Sequence, residues 1–380
     1  MSLLPFLPDE TQLDIWQNNI VNLCAGNCNQ DWIIQGGPGT GKTLTSIALA
    51  SELRSQKHGV LLLIFNKPIQ QYLEYALSRT AYNCRVQTYI QWLSDYYRDV
   101  FRRQGYPSNG QFNPIWNIID NDFSNRATLT YPTVIIDECQ DVPVELLKCL
   151  KHISGNIICF FDPAQALQPN KTKLLDLLNI LREPKILTFG TNFRNTKEIR
   201  SVADLFVVDN NSSTAQAISS GKKPVMWNCQ GNYSFMDDLM VSVIKQNPSK
   251  SIGVICPSSD KNWLIQGLYN ELSIRLNGVR TVEMHLPRGK SLVNFASKSV
   301  KLFTYNTMKG LEFDIVLIPR IDQIYSSKNA KIDRTRLYVA ITRANEELHC
   351  FYLRRNVQNT QKWIDTMSII NGNSRLFDWK

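Results

Sequence analysis

The chain has 380 residues, 43% of them hydrophobic, enough apolar material to fill the cores of two ordinary domains. No run of eighteen or more apolar residues occurs, and Asp9 and Glu10 stand where a basic and apolar signal segment would lie; a soluble, cytoplasmic protein that meets no membrane is expected. Nine cysteines without completed metal or disulfide spacing read as reduced thiols, and 42 Lys+Arg against 33 Asp+Glu, a net charge of +9, favour a polyanionic partner.

In chain order, residues 13–20 read as a helix that turns Leu13, Trp16 and Ile20 inward and leaves Gln17 on its other side. Gln17 is there either a plain surface residue or an amide that reads an adenine edge with a donor and an acceptor together. Trp32, Ile33 and Ile34 suit a buried strand, and Leu44, Ile47, Ala48, Leu49 and Leu53 carry helical spacing. Between them runs Gly36, Gly37, Pro38, Gly39, Thr40, Gly41, Lys42, Thr43, the spacing of a phosphate-binding loop. Its glycines let successive N–H groups converge on phosphate oxygens at a helix N-terminus, Lys42 reaches the β- and γ-phosphates, and Thr43 ligates Mg²⁺.

Further apolar strands are expected at 59–65, 85–89, 133–137 and 156–162, separated mostly by helices. That alternation indicates a parallel sheet covered on both faces, with ligands at the carboxyl ends of its strands. Asp137 and Glu138 follow one strand, where one carboxylate can hold Mg²⁺ and the other can orient water. Gln165 follows another, placed to sense a terminal phosphate.

After Glu183 and Pro184 the pattern restarts, with strands expected at 185–190, 225–229, 252–256, 281–286, 300–305 and 315–319, so a second α/β domain is expected from residue 184. It has no phosphate loop but two notable arginines. Arg194 follows a strand, and Arg343 lies near the end of a helix expected over 336–344. Planar guanidiniums suit a γ-phosphate whose charge spreads in the transition state.

Gln17, the loop at 36–43, the acidic run at 137–141, Asp162 with Gln165, the turn at 191–194, the stretch 304–313 and the helix at 338–344 together resemble the ordered motifs of UvrD/Rep-type superfamily 1 helicases, from residue 13 to about 350. The resemblance implies two tandem RecA-like P-loop NTPase domains, each with a mainly parallel sheet covered by helices on both faces. These would be residues 1–183, with a short insertion about 93–131 where relatives carry a first accessory domain, and residues 184–353, with no evident second one; residues 354–380 would form a tail. ATP and Mg²⁺ are the implied cofactors. Carried over by position, Gln17 recognises adenine, Gly36, Gly37, Pro38, Gly39, Thr40, Gly41, Lys42 and Thr43 hold phosphates, and Thr43 and Asp137 hold the metal. Glu138 is the general base, Gln165 the coupling glutamine, Phe193 the aromatic on the adenine ring, Arg194 and Arg343 the γ-phosphate arginines, and Gly310 and Glu312 lie at the nucleotide, Glu312 near the ribose.

The implied partner is single-stranded DNA, with RNA open. Candidate strand contacts are Phe65, Asn66, Lys67, Thr88, Tyr89, Trp92, Thr304 and Asn306, although Phe65, Tyr89 and Trp92 serve equally well as core. The segment after Gln165 lacks the aromatics of the family, and Arg288, Gly289 and Lys290 either touch phosphates or are simply solvated. Two functions follow. The first is an ATP-dependent single-strand translocase or helicase, 3′→5′ by resemblance; the second is a nucleic-acid-sensing ATPase switch that serves as regulatory subunit of a nuclease or other protein. In the tail, Trp363, Phe377 and Trp379 dock on the core or on another protein.

Overall fold

The computed structural model describes residues 13–65, 67–78, 80–110, 113–126, 128–165, 172–208, 215–256, 263–285, 294, 297–305, 307–323, 330–353, 367 and 369–380. The chain divides into two compact units, one built on 7–190 with 211–215 and the other on 191–210 with 216–380 and 1–6.

The N-terminal unit runs α1 (Ile15–Ala25), β1 (Trp32–Gln35), α2 (Lys42–Ser55), β2 (Val60–Ile64), α3 (Lys67–Leu77), β3 (Val86–Thr88), α4 (Tyr89–Asp99), α5 (Trp116–Arg126), β4 (Tyr131–Ile136), α6 (Val144–Lys151), β5 (Ser154–Phe161), α7 (Leu174–Ile180) and β6 (Lys185–Thr188). Its six strands are all parallel, in the order β3-β2-β4-β5-β1-β6. Alternate side chains along each strand feed opposite cores. Ile34, Leu62, Ile64, Ile135 and Phe160 meet Ile47, Leu49 and Leu53 of α2 on one face. Ile33, Leu61, Leu63, Val134, Ile136 and Phe161 meet Trp92, Tyr96, Phe123 and Leu147 on the other. Burial on both faces explains the near-continuous apolar runs.

The C-terminal unit runs β7 (Thr191–Asn192), α8 (Lys197–Asp204), β8 (Gln216–Ala217), β9 (Val225–Asn228), α9 (Tyr233–Gln246), β10 (Ile252–Cys256), α10 (Trp263–Arg275), β11 (Val282–Met284), β12 (Val300–Thr304), β13 (Phe313–Ile318), α11 (Ala330–Ile341), β14 (Ala344–Tyr352) and β15 (Asp378–Trp379). Seven strands form a second parallel sheet, ordered β11-β12-β10-β13-β14-β9-β15, and β7 pairs with β8 apart from it. Met240 and Ile244 of α9 and Leu272 of α10 pack on Val254, Leu302, Ile315, Leu317 and Phe351. Both units thus have parallel sheets covered by helices, as expected.

Three boundaries move. Lys185–Thr188 is not the first strand of the second domain but the edge strand of the first sheet, in parallel register with β1 from Trp32↔Lys185 to Gln35↔Thr188, so the division falls after Gly190 rather than Glu183. The 93–131 segment is not a detached insertion: Leu93, Tyr96, Tyr97, Ile119 and Phe123 belong to the core beneath the first sheet. The described end of the tail docks on its own unit, where β15 extends the second sheet at β9 and Phe377 is buried; Trp363 lies outside the described residues. Arg343 follows α11 in a turn, and a strand the sequence reading did not include, β14, begins at Ala344. All nine cysteines are free and most are buried. Among the described residues no helix is long and apolar enough to cross a membrane.

Candidate nucleotide site

In the N-terminal unit the loop between β1 and α2 is held open by two left-handed residues, Gly39 (φ 72°) and Gly41 (φ 84°). A Cβ at Gly41 would stand 2.2 Å from Gln17 Nε2, and one at Gly36 would stand 2.6 Å from Thr40 Oγ1 and 2.8 Å from the Phe189 ring. Only glycine fits at both positions. Thr40 Oγ1 donates to Gly37 O (2.9 Å), and the buried Lys42 Nζ donates to Gly36 O (2.8 Å) and Gly37 O (2.9 Å), drawing the loop around the ammonium. Asp162 Oδ2, at the end of β5, lies 3.7 Å from the same nitrogen. The first turn of α2 starts at this loop, so its free N–H groups and dipole favour an anion here.

Asp137 ends β4, next to β5 and two strands from β1, and its Oδ2 accepts a 2.7 Å hydrogen bond from Thr43 Oγ1. Its other oxygen, Oδ1, is buried without a hydrogen-bond partner. Burial first, and then the neighbouring Glu138 charge, push the Asp137 carboxyl up to about 6, against the opposing Thr43 hydrogen bond and Lys42 charge. A hydroxyl beside an unsatisfied carboxylate oxygen is a hard-oxygen pair of the kind Mg²⁺ takes when phosphate and water complete its shell. Among the described residues no cluster of three His, Cys, Asp or Glu side chains competes for a metal.

Glu138 adopts the left-handed conformation (φ 54°), uncommon for a non-glycine residue and of order 1–3 kcal/mol in strain. Its carboxylate accepts from Gln140 Nε2, while Gln140 Oε1 accepts from Asp162 N (2.9 Å). Asp162 in turn accepts from Ala164 N (3.0 Å) and Gln165 Nε2 (2.7 Å). One polar chain therefore joins Glu138, Gln140, Asp162 and Gln165 and ends at Lys42. The sequence reading assigned no role to Gln140; its place in the acidic run, two residues beyond Glu138, is the signal that was there to use.

Gln17 is on the opposite side of α1 from the expected one. It is buried with Ile20, Val21 and Cys24, while Trp16 is 48% exposed with its indole N–H held by Thr188 O (3.1 Å). The reason is capping: Asp14 accepts from Gln17 N (2.6 Å) and Gln17 Oε1 accepts from Asp14 N (3.1 Å), which turns the amide inward, where Nε2 reaches Thr40 O (3.3 Å).

In the C-terminal unit Phe193 is exposed at 43%, and Arg194 Nε pairs with Glu312 Oε2 at 2.5 Å. Arg343 is buried, its guanidinium donating to Val339 O (3.0 Å), Leu311 O (3.4 Å) and Thr342 Oγ1 (3.3 Å). Gly310 takes the left-handed turn (φ 81°) before Glu312.

The expected strand contacts separate. Trp92 is core, 1% exposed and tilted against Tyr96 and Phe123, which removes it as a stacking platform. Thr88 caps α4 through Gln91 N (3.3 Å), and Thr304 is buried against Thr307 (3.1 Å). Phe65 is half-buried and Lys67 is exposed; Tyr89 is half-buried, and burial pushes its hydroxyl up to about 12. Asn66, Asn306, Arg288, Gly289 and Lys290 lie outside the described residues.

Residues 30–204, just under half of the chain, match the family model described as Schlafen group 3, DNA/RNA helicase domain. No curated protein sequence matches at a significant level. Among solved structures, the C-terminal domain of a possible DNA helicase from Lactobacillus plantarum WCFS1 is 19% identical with a TM-score of 0.35, over 50% of this chain and 99% of that one. The PRRSV helicase is 13% identical with a TM-score of 0.40, over 90% of this chain and 56% of that one. The stretch carrying the phosphate loop, Asp137, Glu138, Gln165 and Arg194 is thus helicase-like in sequence.

Proposed function

We propose that the chain is a nucleic-acid-dependent ATPase of the UvrD/Rep superfamily 1 type that moves along single-stranded DNA, 3′→5′, at the expense of ATP. The observation that carries the reading is the grouping at the loop: Lys42 drawn in by Gly36 and Gly37, Thr43 bonded to Asp137, and Glu138 linked through Gln140 and Asp162 to Gln165.

The loop amides and Lys42 bind the β- and γ-phosphates. Thr43 and Asp137 would hold Mg²⁺, which supplies charge neutralisation across those phosphates when bound. Glu138 orients a water and accepts its proton as the oxygen attacks the γ-phosphorus; the bond to the β-phosphate oxygen breaks, leaving ADP and inorganic phosphate. Gln165, tied to Asp162, senses whether the γ-phosphate is present. Arg194 and Arg343 neutralise the developing charge, Phe193 stacks on the base and Glu312 takes the ribose. Trp16, the exposed aromatic beside Gln17, offers a further face to the base. Differential affinity for ATP and ADP changes the grip on the strand.

The test is ATP hydrolysis with and without single-stranded DNA, duplex DNA and RNA. Stimulation by single-stranded DNA is expected, together with ATP-dependent displacement of streptavidin from a 3′-to-5′ track. Stimulated hydrolysis without displacement would instead support the switch that serves a nuclease or other partner, a reading favoured by the 93–131 segment giving Leu93, Tyr96, Tyr97, Ile119 and Phe123 to the core of the first sheet. Glu138→Gln should bind ATP and turn over at least about 10²-fold more slowly, the range for loss of a positioned general base; unchanged turnover refutes the mechanism.

A further inference from the structure

Two asparagines, neither given a part in hydrolysis above, sit fully buried beneath the arginine-bearing turns of the C-terminal unit. Asn192 Oδ1 accepts the backbone N–H groups of Arg194 (2.9 Å) and Asn195 (3.1 Å), forming the tight turn that presents Phe193 and Arg194. Asn192 Nδ2 donates to Asn195 Oδ1 (3.0 Å). Asn195 Nδ2 then spends both of its hydrogens on a different segment, donating to Thr342 O (3.1 Å) and Ala344 O (2.7 Å). Those two carbonyls flank Arg343.

A third segment closes the circuit. Glu312 holds Arg194, while Leu311 O accepts from Arg343 and Phe313 N donates to Arg343 O (2.9 Å). Residues 192–195, 311–313 and 342–344 therefore form one hydrogen-bonded frame, and Asn195 is its direct link between the two arginine turns.

We propose that Asn195 is a positioning residue that fixes Arg194 and Arg343 relative to each other, so that the two guanidiniums act on the γ-phosphate as a single device. The chemistry selects asparagine: one nitrogen with two hydrogens meets two carbonyls two residues apart, while the amide oxygen meets Asn192. Serine offers one donor for two acceptors. Aspartate offers none and sets a negative charge against both carbonyls. The proposal rests on the ATPase reading above, and the experiment separates the two.

Steady-state ATP hydrolysis is measured for the full chain and for Asn195→Ser, Asn195→Ala, Arg194→Ala, Arg343→Ala and the combined Arg194→Ala/Arg343→Ala, with and without Asn195→Ala, alongside affinities for ADP and for a non-hydrolysable ATP analogue. Misplacing a catalytic group by around 1 Å costs up to about 10²-fold. Asn195→Ala should therefore lower kcat by at least about tenfold and weaken the ATP analogue, while ADP, which lacks the γ-phosphate, binds within about twofold of the parent. In the background lacking both arginines, adding Asn195→Ala should change kcat by less than about twofold, because its effect passes through them. Asn195→Ser, which keeps one bond and is the milder test of folding, should fall between the parent and Asn195→Ala. The proposal is overturned if hydrolysis in Asn195→Ser and Asn195→Ala stays within about twofold of the parent while Arg194→Ala is impaired, or if the Asn195 effect is undiminished without the arginines. Full hydrolysis in Arg194→Ala and Arg343→Ala would remove the arginines from the mechanism and overturn this proposal alone, whereas no hydrolysis by the parent chain would overturn the ATPase reading itself.

Discussion

Gly41→Ala tests how tightly the phosphate loop is tied to α1. Two costs add. At φ 84° an alanine enters the left-handed region, a penalty of roughly 1–2 kcal/mol. Its Cβ would also lie 2.2 Å from Gln17 Nε2, so the amide must leave its bond to Thr40 O, a further loss of about 1 kcal/mol. The sum is about 2–3 kcal/mol, which for a unit of this size lowers the thermal midpoint by roughly 4–12 °C. Thermal unfolding followed by circular dichroism measures the change, and hydrogen exchange over β1 and α2 assigns it to the N-terminal unit. Gln17→Ala alone should cost about 1 kcal/mol. Because the Gln17 bond is lost only once, the double variant should be about 1 kcal/mol more stable than the two single effects predict. Strict additivity, or a Gly41→Ala loss below about 0.5 kcal/mol, would refute the coupling between helix cap and loop.

Burial holds the Lys301 ammonium down to about 8, so above that pH the folded chain gives up a proton that the unfolded chain keeps until near 10.5; stability should rise with pH through that window. Lys301→Met should flatten the rise in urea titrations at pH 7 to 10 and stabilise by about 2 kcal/mol at pH 7, the relieved charge exceeding the lost bonds to Ser297 and Ser299. Trp92→Ala should cost about 3–5 kcal/mol in chemical denaturation, with strand affinity of the folded protein unchanged in fluorescence anisotropy. Thr43→Val, which strips the buried Asp137 carboxylate of its hydroxyl donor, should cost about 1–3 kcal/mol in thermal unfolding and raise the Mg²⁺ concentration for half-maximal hydrolysis by about tenfold, within the range for altered metal ligation.

The central strands were legible because a parallel sheet covered on both faces demands apolar runs, as in 60–64 and 134–136. The sheet to which β6 belongs was not: a strand was expected at 185–190, but Lys185, Ile186 and Thr188 are exposed, so nothing in it marks it as the edge of the first sheet, and the proline before it reads as punctuation between domains. β14 opens on Ala344, Asn345, Glu346 and Glu347, whose polarity conceals a strand that becomes apolar only at Leu348. At the site, residue types and spacing pointed to Lys42, Thr43, Asp137 and Glu138, because the glycine turn that draws Lys42 onto its own carbonyls is encoded within a few residues. Gln17 went to the wrong face because hydrophobic weight favoured Trp16, whereas the Asp14 cap and the loop contact decide the rotation. Asn195 gave no signal, since its partners lie 147 and 149 residues away.

The position of β1 between β5 and β6 has a consequence for biosynthesis. Both neighbours of the strand that carries the phosphate loop are the last two strands of their unit to be made. At translation rates of about 5–20 residues per second, the ribosome needs on the order of ten to thirty seconds after making Gln35 to supply Thr188. β1 waits without a partner on either side until β5 is made and on one side until β6 is made, and an N-terminal fragment stopped at Glu183 would leave it as an open edge prone to pairing with other chains.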